Sequence, residues 1–293
     1  MVGVFGNIIV DLAAEVDSYP AADDEVEVHS LKEISGGTGA NTAVAAARLG
    51  AETVFFGTVG SDYYGQFLVD SLIADNVKPI VRKSDKFHTA ICIAVYDSSG
   101  DRRLMTYLGP NLDFEMTEET RSSLKDSSII HISGGNPYHW SLVREELSEG
   151  AKLSFDPGSM VCRTWPDETL AFSLAADYVF LNKNEWSLLG KESLLETDGT
   201  VFLKLGKEGG RVYEERKIRI EWEAVPVKQI DSTAAGDVFD GAILYGVDKG
   251  LTLEESIQIG RYASSITVSR IGAQSSMPTM MEVRRFIHDR GET

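Results

Sequence analysis

From residue 129 onward the chain repeats one unit. Short apolar runs at Ile129–Ile132, Leu153–Phe155, Tyr178–Leu181 and Val201–Leu205 alternate with stretches of helical spacing. Runs this short are strands, and strands that alternate with helices are joined by crossovers, which makes them parallel. The pattern therefore predicts an α/β fold: a mostly parallel central sheet with helices on both faces. The N-terminal half adds strands at Val2–Phe5, Ile8–Val10 and Thr53–Val59, an Ala-rich helix Ala40–Leu49 closed by Gly50, and a helix at Gly65–Asp75. Three helices follow at the other end, Asp237–Lys249, Leu253–Ser269 and Met280–Arg290. Two stretches break the pattern. Residues from about 11 to 34 alternate at the strand period around Val26–His29, and about 87 to 108 hold strands His88–Asp97 and Arg103–Tyr107 around the turn Asp97-Ser98-Ser99-Gly100. Together they predict a small β-sheet acting as a lid over the C-terminal strand ends, where such sheets bind ligands. Residues 1–293 read as one α/β domain carrying that lid.

Charge narrows the partners. With 28 Lys+Arg against 45 Asp+Glu, the net charge is −17, which repels nucleic acid and anionic membranes. The longest basic runs are Arg102-Arg103 and Arg284-Arg285, so no basic patch offsets it. An anionic ligand would have to be held by backbone N–H groups, a few cations and a bound metal. The two cysteines, Cys92 and Cys162, have no metal-binding spacing and read as reduced core thiols. No charged leader and no apolar run of membrane length are visible, so the expected location is the cytoplasm.

Four clusters carry chemistry. Gly36-Gly37-Thr38-Gly39-Ala40-Asn41 lacks the third glycine of a dinucleotide fingerprint, because Thr42 stands there. Gly206-Lys207 is followed by Glu208, and residue 201 is Val, so a Walker phosphate loop is also excluded. What remains at 36–41 is a glycine pair opening a helix, with Asn41 able to donate and accept; a plain turn explains it equally well. Asp231-Ser-Thr-Ala-Ala-Gly236-Asp237 places small residues at a helix start, whose free N–H groups suit a phosphoryl group, and an Asp that can take a proton from a hydroxyl. Asn182-Lys183-Asn184-Glu185 offers hard oxygen donors, or simply a helix cap. Lys204-Leu-Gly206-Lys-Glu-Gly209-Gly210 suits a nucleotide phosphate tail, or simply a hairpin turn.

Taken together, these clusters resemble the ribokinase family, also called the pfkB family of carbohydrate and nucleoside kinases, over nearly the whole chain. Gly6-Asn7-Ile-Ile-Val-Asp11 looks like the family's first strand and substrate Asp. Gly36-Gly37 with Asn41, Ala43, Ala45 and Arg48-Leu49-Gly50 resembles its first signature. Gly57 to Gly60, Asp62 and Gly65 follow in the usual order. Asn182 and Glu185 match its Asn-x-x-Glu motif, Asp231 to Phe239 its second signature, and Gly272-Ala273 with Pro278-Thr279 its C-terminal pattern.

The resemblance implies a ribokinase-like fold and transfer of the γ-phosphoryl group of ATP to a primary hydroxyl. Asp237 would be the catalytic base, and the N–H groups of Ala234, Ala235 and Gly236 would stabilise the transferring phosphoryl. Asp11, Gly36, Gly37 and Asn41 would hold sugar hydroxyls. Asn182, Lys204, Gly206, Gly209 and Gly272 would embrace ATP. Glu185 would act on magnesium through water, and Asp231 and Thr233 would sit where relatives bind a monovalent cation such as potassium. Ala234 stands where the family commonly has Gly, and Lys204 where it commonly has Thr; Ala disfavours positive φ, so a slightly altered loop is expected. A homodimer through the lid is the expected assembly.

The acceptor is less constrained. Phe87, His88, Tyr107 and Tyr138-His139-Trp140 are candidate walls; aromatic faces there would stack a nucleobase, or Tyr138 and Trp140 belong to the core. Arg103 would touch an acidic sugar or face solvent. Thr38, where ribokinases often carry Lys, tilts the reading toward a nucleoside. The alternatives are a sugar kinase of the ribokinase, fructokinase or ketodeoxygluconate kinase type, and a non-catalytic binding relative.

Overall fold

The computed structural model describes residues 1–99 and 101–291, so Gly100 of the expected lid turn lies outside the described residues. Its strands are β1 (Val2–Gly6), β2 (Ile9–Val16), β3 (Val28–Gly36), β4 (Thr53–Gly60), β5 (Val77–Ser84), β6 (Ile91–Tyr96), β7 (Arg102–Tyr107), β8 (Ile129–Ser133), β9 (Lys152–Asp156), β10 (Tyr178–Asn182), β11 (Thr200–Lys204), β12 (Gly210–Glu214) and β13 (Lys217–Trp222). They form a nine-stranded sheet in the order β13-β12-β11-β10-β9-β8-β1-β4-β5 and a four-stranded sheet in the order β3-β2-β6-β7. In the large sheet every pair from β5 to β11 is parallel, and β12 and β13 close one edge antiparallel. The mostly parallel sheet and the small second sheet are as expected from the pattern.

The parallel strands are apolar on both faces because helices cover both. Successive residues feed opposite cores: Val2 and Val4 join the core under the helices Thr38–Leu49 and Ala235–Lys249, while Phe5 joins the core around Trp140, Phe155 and Phe172. The alanines of Thr38–Leu49 let it approach Ala235–Lys249 closely. A Cβ added to Gly241 would lie 2.7 Å from Ala45 Cβ, so only glycine permits this contact. Asn41 and Asp237 sit one turn before Ala45 and Gly241, on the same two faces, and the close crossing brings them together.

Three differences from the sequence reading have local causes. The strand expected at Ile8–Val10 starts one residue later, runs to Val16 and leaves the large sheet for the lid. At the break, the Asn111 side chain replaces a strand partner: Ile8 N donates to its Oδ1 at 3.1 Å and its Nδ2 donates to Ile8 O at 3.0 Å. β5 was hidden by Pro79 and its charged residues, a composition suited to the sheet edge it occupies. The β12–β13 hairpin was hidden by its polar alternation. Both cysteines are free and buried, as expected. Among the described residues, no helix is long and apolar enough to cross a membrane.

Candidate active site

The site lies at the C-terminal ends of the parallel strands, where β1 ends at Gly6, β9 at Asp156, β10 at Asn182 and β11 at Lys204. The lid springs from the same edge. Its root is tied by Asp62, whose carboxylate accepts from Gly65 N at 2.8 Å, Thr89 N at 2.8 Å and Thr89 Oγ1 at 2.5 Å. Hydrogen bonds from Thr89 and Gly65 outweigh burial and hold Asp62 below the usual carboxylate range. Gly60, Asp62 and Gly65 thus build the junction of lid and body, while Gly57 lies inside β4 against Phe55 and Gly6.

Asp237 occupies the first turn of Ala235–Lys249. Asn41 Nδ2 donates to its Oδ2 at 2.8 Å, while buried Asn41 Oδ1 has no partner. Burial pushes the Asp237 carboxyl up to about 6, against the hydrogen bond from Asn41, with Asp156 and Glu185 adding repulsion. Asp11, on β2, is pushed up to about 6 as well, by burial that outweighs the Cys92 thiol and the charge of Arg102. It lies directly over the glycine pair: a Cβ on Gly36 would sit 2.6 Å from Asp11 Oδ2. Two buried carboxyls, one against Gly36 and one bonded to Asn41 of the same segment, are both raised, which is the pattern of a chemical site.

The helix that carries Asp237 starts without a side-chain cap, and Ala235 N at its start donates to Ser232 O at 3.4 Å. Ala234 stands at the N-cap with φ 61° and ψ 6°. The sequence led us to expect an altered loop at Ala234; instead the alanine takes the left-handed conformation itself, at a cost of about 1–2 kcal/mol. Asp231 holds the loop in place: Oδ1 accepts from Thr233 N at 2.9 Å and Thr233 Oγ1 at 2.6 Å, and Oδ2 accepts from Gly272 N at 3.0 Å. Burial works against it, but these bonds hold Asp231 below the ordinary range.

Next to this loop lies a pocket of about 340 Å³, lined among others by Lys204, Gly206, Gly209, Val225, Ser264 and Gly236. Its apolar wall includes Phe239 stacked on Trp222, with ring centroids 5.1 Å apart. Gly206 has φ 62° and Gly209 φ 90°. The β11–β12 turn is the hairpin connection of the sequence reading, and its glycines also line the pocket. Asn182 and Gly272 are not among the pocket's lining residues. The segment Ala224–Val227, which lines it, carried no motif and was missed; its only signal is a proline between valines.

Lys204 lines this pocket with its ammonium engaged by two carboxylates. Its Nζ donates to Asp156 Oδ2 at 2.7 Å and to Asp240 Oδ1 and Oδ2 at 2.9 and 2.8 Å. Burial opposes its charge, but Asp156 and Asp240 hold the ammonium well above its usual range. Glu185 closes a capping box: Oε2 accepts from Asn182 N at 2.8 Å, and Oε1 from Asn182 Nδ2 at 2.7 Å and Ser159 Oγ at 2.9 Å. Burial and the charge of Asp156 raise it.

The structure does not bring Arg103, Tyr107 or most of the aromatic wall to the cleft. Asp11 aligns with Cys92, and Cys92 with Thr106, so Thr106, Leu104 and Arg102 share the face of Asp11. Arg103 and Tyr107 fall on the other face, and Arg103 lies 3.7 Å over the Tyr19 ring. Trp140 is buried, donates from Nε1 to Gly134 O at 2.7 Å and packs on Phe155 and Phe172. His139 is buried between Phe5 and Phe114, and Tyr138 is exposed on the surface.

A family model for pfkB carbohydrate kinases matches residues 1–280. The chain belongs to the pfkB family of carbohydrate kinases. As a pfkB kinase it is a phosphotransferase with an alcohol acceptor. It is 27% identical to the ribokinase of Bacillus subtilis, over 97% of this chain and 98% of that protein. It is 24% identical to a nucleoside kinase of Methanothermobacter thermautotrophicus, over 96% of this chain and 94% of that one. Its fold matches a ribokinase of Arabidopsis thaliana solved with ribose and ATP, with a TM-score of 0.88, 23% identity and 98% of each chain covered. The pfkB fold thus accounts for the large sheet and the lid.

Proposed function

We propose that this kinase transfers the γ-phosphoryl group of ATP to the primary hydroxyl of a ribose-type free sugar. The observation that carries the reading is the contact of Asn41 with Asp237 at the mouth of an uncapped helix, opposite Asp11 and the glycine pair. Asp11 and Asn41 bind ring hydroxyls, and Asn41 Oδ1 is free to accept one. Asp237 takes the proton of the attacking hydroxyl, whose oxygen bonds to the γ-phosphorus as ADP leaves. The N–H groups of Ala234, Ala235 and Gly236 receive the charge that develops on the phosphoryl oxygens. The 340 Å³ pocket takes the rest of the nucleotide. Residues 1–293 act as one unit in this reading, the lid closing to exclude water.

Among the described residues no group of three metal-binding side chains occurs. Magnesium arrives on nucleotide phosphates and needs one or two carboxylates nearby, and Asp156 and Glu185 are neighbouring acids that would hold it. The metal would neutralise phosphate charge. Asp231 and Thr233 are already engaged with each other, and any potassium would have to use what that loop leaves open.

The nucleoside reading drew on stacking residues and on Thr38; burial removes Trp140 and His139 from stacking, while Thr38 still favours it. Acceptor-dependent ADP release with Mg-ATP against ribose, fructose, ketodeoxygluconate, inosine, guanosine, adenosine and cytidine tests the choice. Turnover of ribose or fructose above the nucleosides is expected; turnover of nucleosides alone would overturn the sugar reading.

A further inference from the structure

The strand phase of the lid puts two cations on the face of Asp11: Lys32, which lies 3.7 Å from Glu15, and Arg102. Arg102 shares the face of Asp11, and its Nη1 lies 3.3 Å from Thr233 Oγ1, across 131 residues of chain. Thr233 is the residue immediately before the left-handed Ala234 that opens the phosphoryl-binding helix start. Arg102 forms no ion pair among the described residues, although the chain carries a net charge of −17 and Asp11 and Asp231 both lie within its field. The other cation of the site, Lys204, is already neutralised by Asp156 and Asp240. An exposed arginine without a carboxylate partner, held by a hydroxyl between the acceptor carboxylate and the phosphoryl loop, has donors left for an anion.

We propose that Arg102 is a catalytic residue carried by the lid: its guanidinium binds the γ-phosphoryl oxygens as the lid closes, supplying the mobile positive charge of the site. This rests on the kinase reading above. No atoms are exchanged with the arginine; it donates hydrogen bonds to oxygens whose negative charge rises in the transition state. Lid closure would then do two things at once, covering the acceptor and completing the charge around the phosphoryl group. The contact with Thr233 holds the side chain near that position beforehand, which limits the entropy lost on closure.

Steady-state kinetics of R102A and R102K, with Mg-ATP and whichever of ribose or inosine the wild type turns over, test the proposal. R102A is expected to lose about 10²-fold or more in kcat, with KM for ATP and acceptor changed only a few-fold. R102K should recover part of the loss, and added guanidinium ion should partly rescue R102A, which a purely structural role would not allow. Thermal melting should be the same for all three proteins, since the side chain is exposed. An unchanged kcat in R102A, or a raised acceptor KM with normal kcat, would overturn the proposal while leaving the kinase reading intact. A wild-type protein that releases no ADP with any acceptor would overturn both, and is distinguishable for that reason.

Discussion

Asp237 and Ala234 show what the site costs at the scale of single residues. A carboxyl whose folded value is about 6, against an ordinary 3.8, binds its proton more tightly folded than unfolded. Its contribution to stability is complete below about pH 4 and is lost as the pH rises through about 6. In the proposed mechanism activity has the opposite sign, because Asp237 acts there as the base and must be deprotonated. The rate kcat/KM should therefore fall below about pH 6, and more steeply than for one group, since Asp11 titrates at about the same place. A pH–rate profile checks the first half; the second predicts that Asp237→Asn melts higher than wild type at pH 8 and shows little gain at pH 4. Ala234 is a second local cost. Its left-handed backbone should make Ala234→Gly more stable by about 1 kcal/mol, with activity retained, as read by denaturant unfolding.

At the scale of elements, the site depends on two helices crossing closely enough for Asn41 to reach Asp237. Gly241→Ala puts a methyl 2.7 Å from Ala45 Cβ and 2.9 Å from Ala46 N, so the helices must part. The expected result is a loss of about 1–3 kcal/mol in stability and a drop in kcat, because the Asn41–Asp237 bond lengthens; unchanged melting and turnover would contradict this packing account. This scale also explains what the sequence could and could not reveal. The glycine pair, the Asp231–Asp237 loop and the strand–helix alternation were legible because each is local, written in neighbouring residues. The engagement of Lys204 was not, because its partners lie 48 and 36 residues away on β9 and the helix Ala235–Lys249. The choice between Arg102 and Arg103 was not either. It depends on register, and a slip of one residue sends every side chain to the opposite face. Trp140 was ambiguous because a wall and a core use the same residue type, and only the packing of Phe155 and Phe172 around it decides.

At the scale of the whole molecule, the lid has two faces with different work. The inner one carries Asp11 and Arg102. The outer one leaves Leu31, Ile93, Met105 and Tyr107 exposed, an apolar surface on an otherwise strongly acidic chain. We propose that a second copy covers it. Sedimentation equilibrium should show a dimer for the wild type and a monomer for the double variant Leu31→Lys, Met105→Lys; a wild-type monomer would contradict the lid dimer. Asp237 stands at the helix start in contact with Asn41, so the central claim can be tested there. The measurement is acceptor-dependent ADP release by wild type and Asp237→Asn, with ATP binding measured on both proteins. The account predicts a loss of about 10²–10⁴-fold in turnover for Asp237→Asn with ATP affinity within a few-fold of wild type. Near-normal turnover in that variant would contradict it.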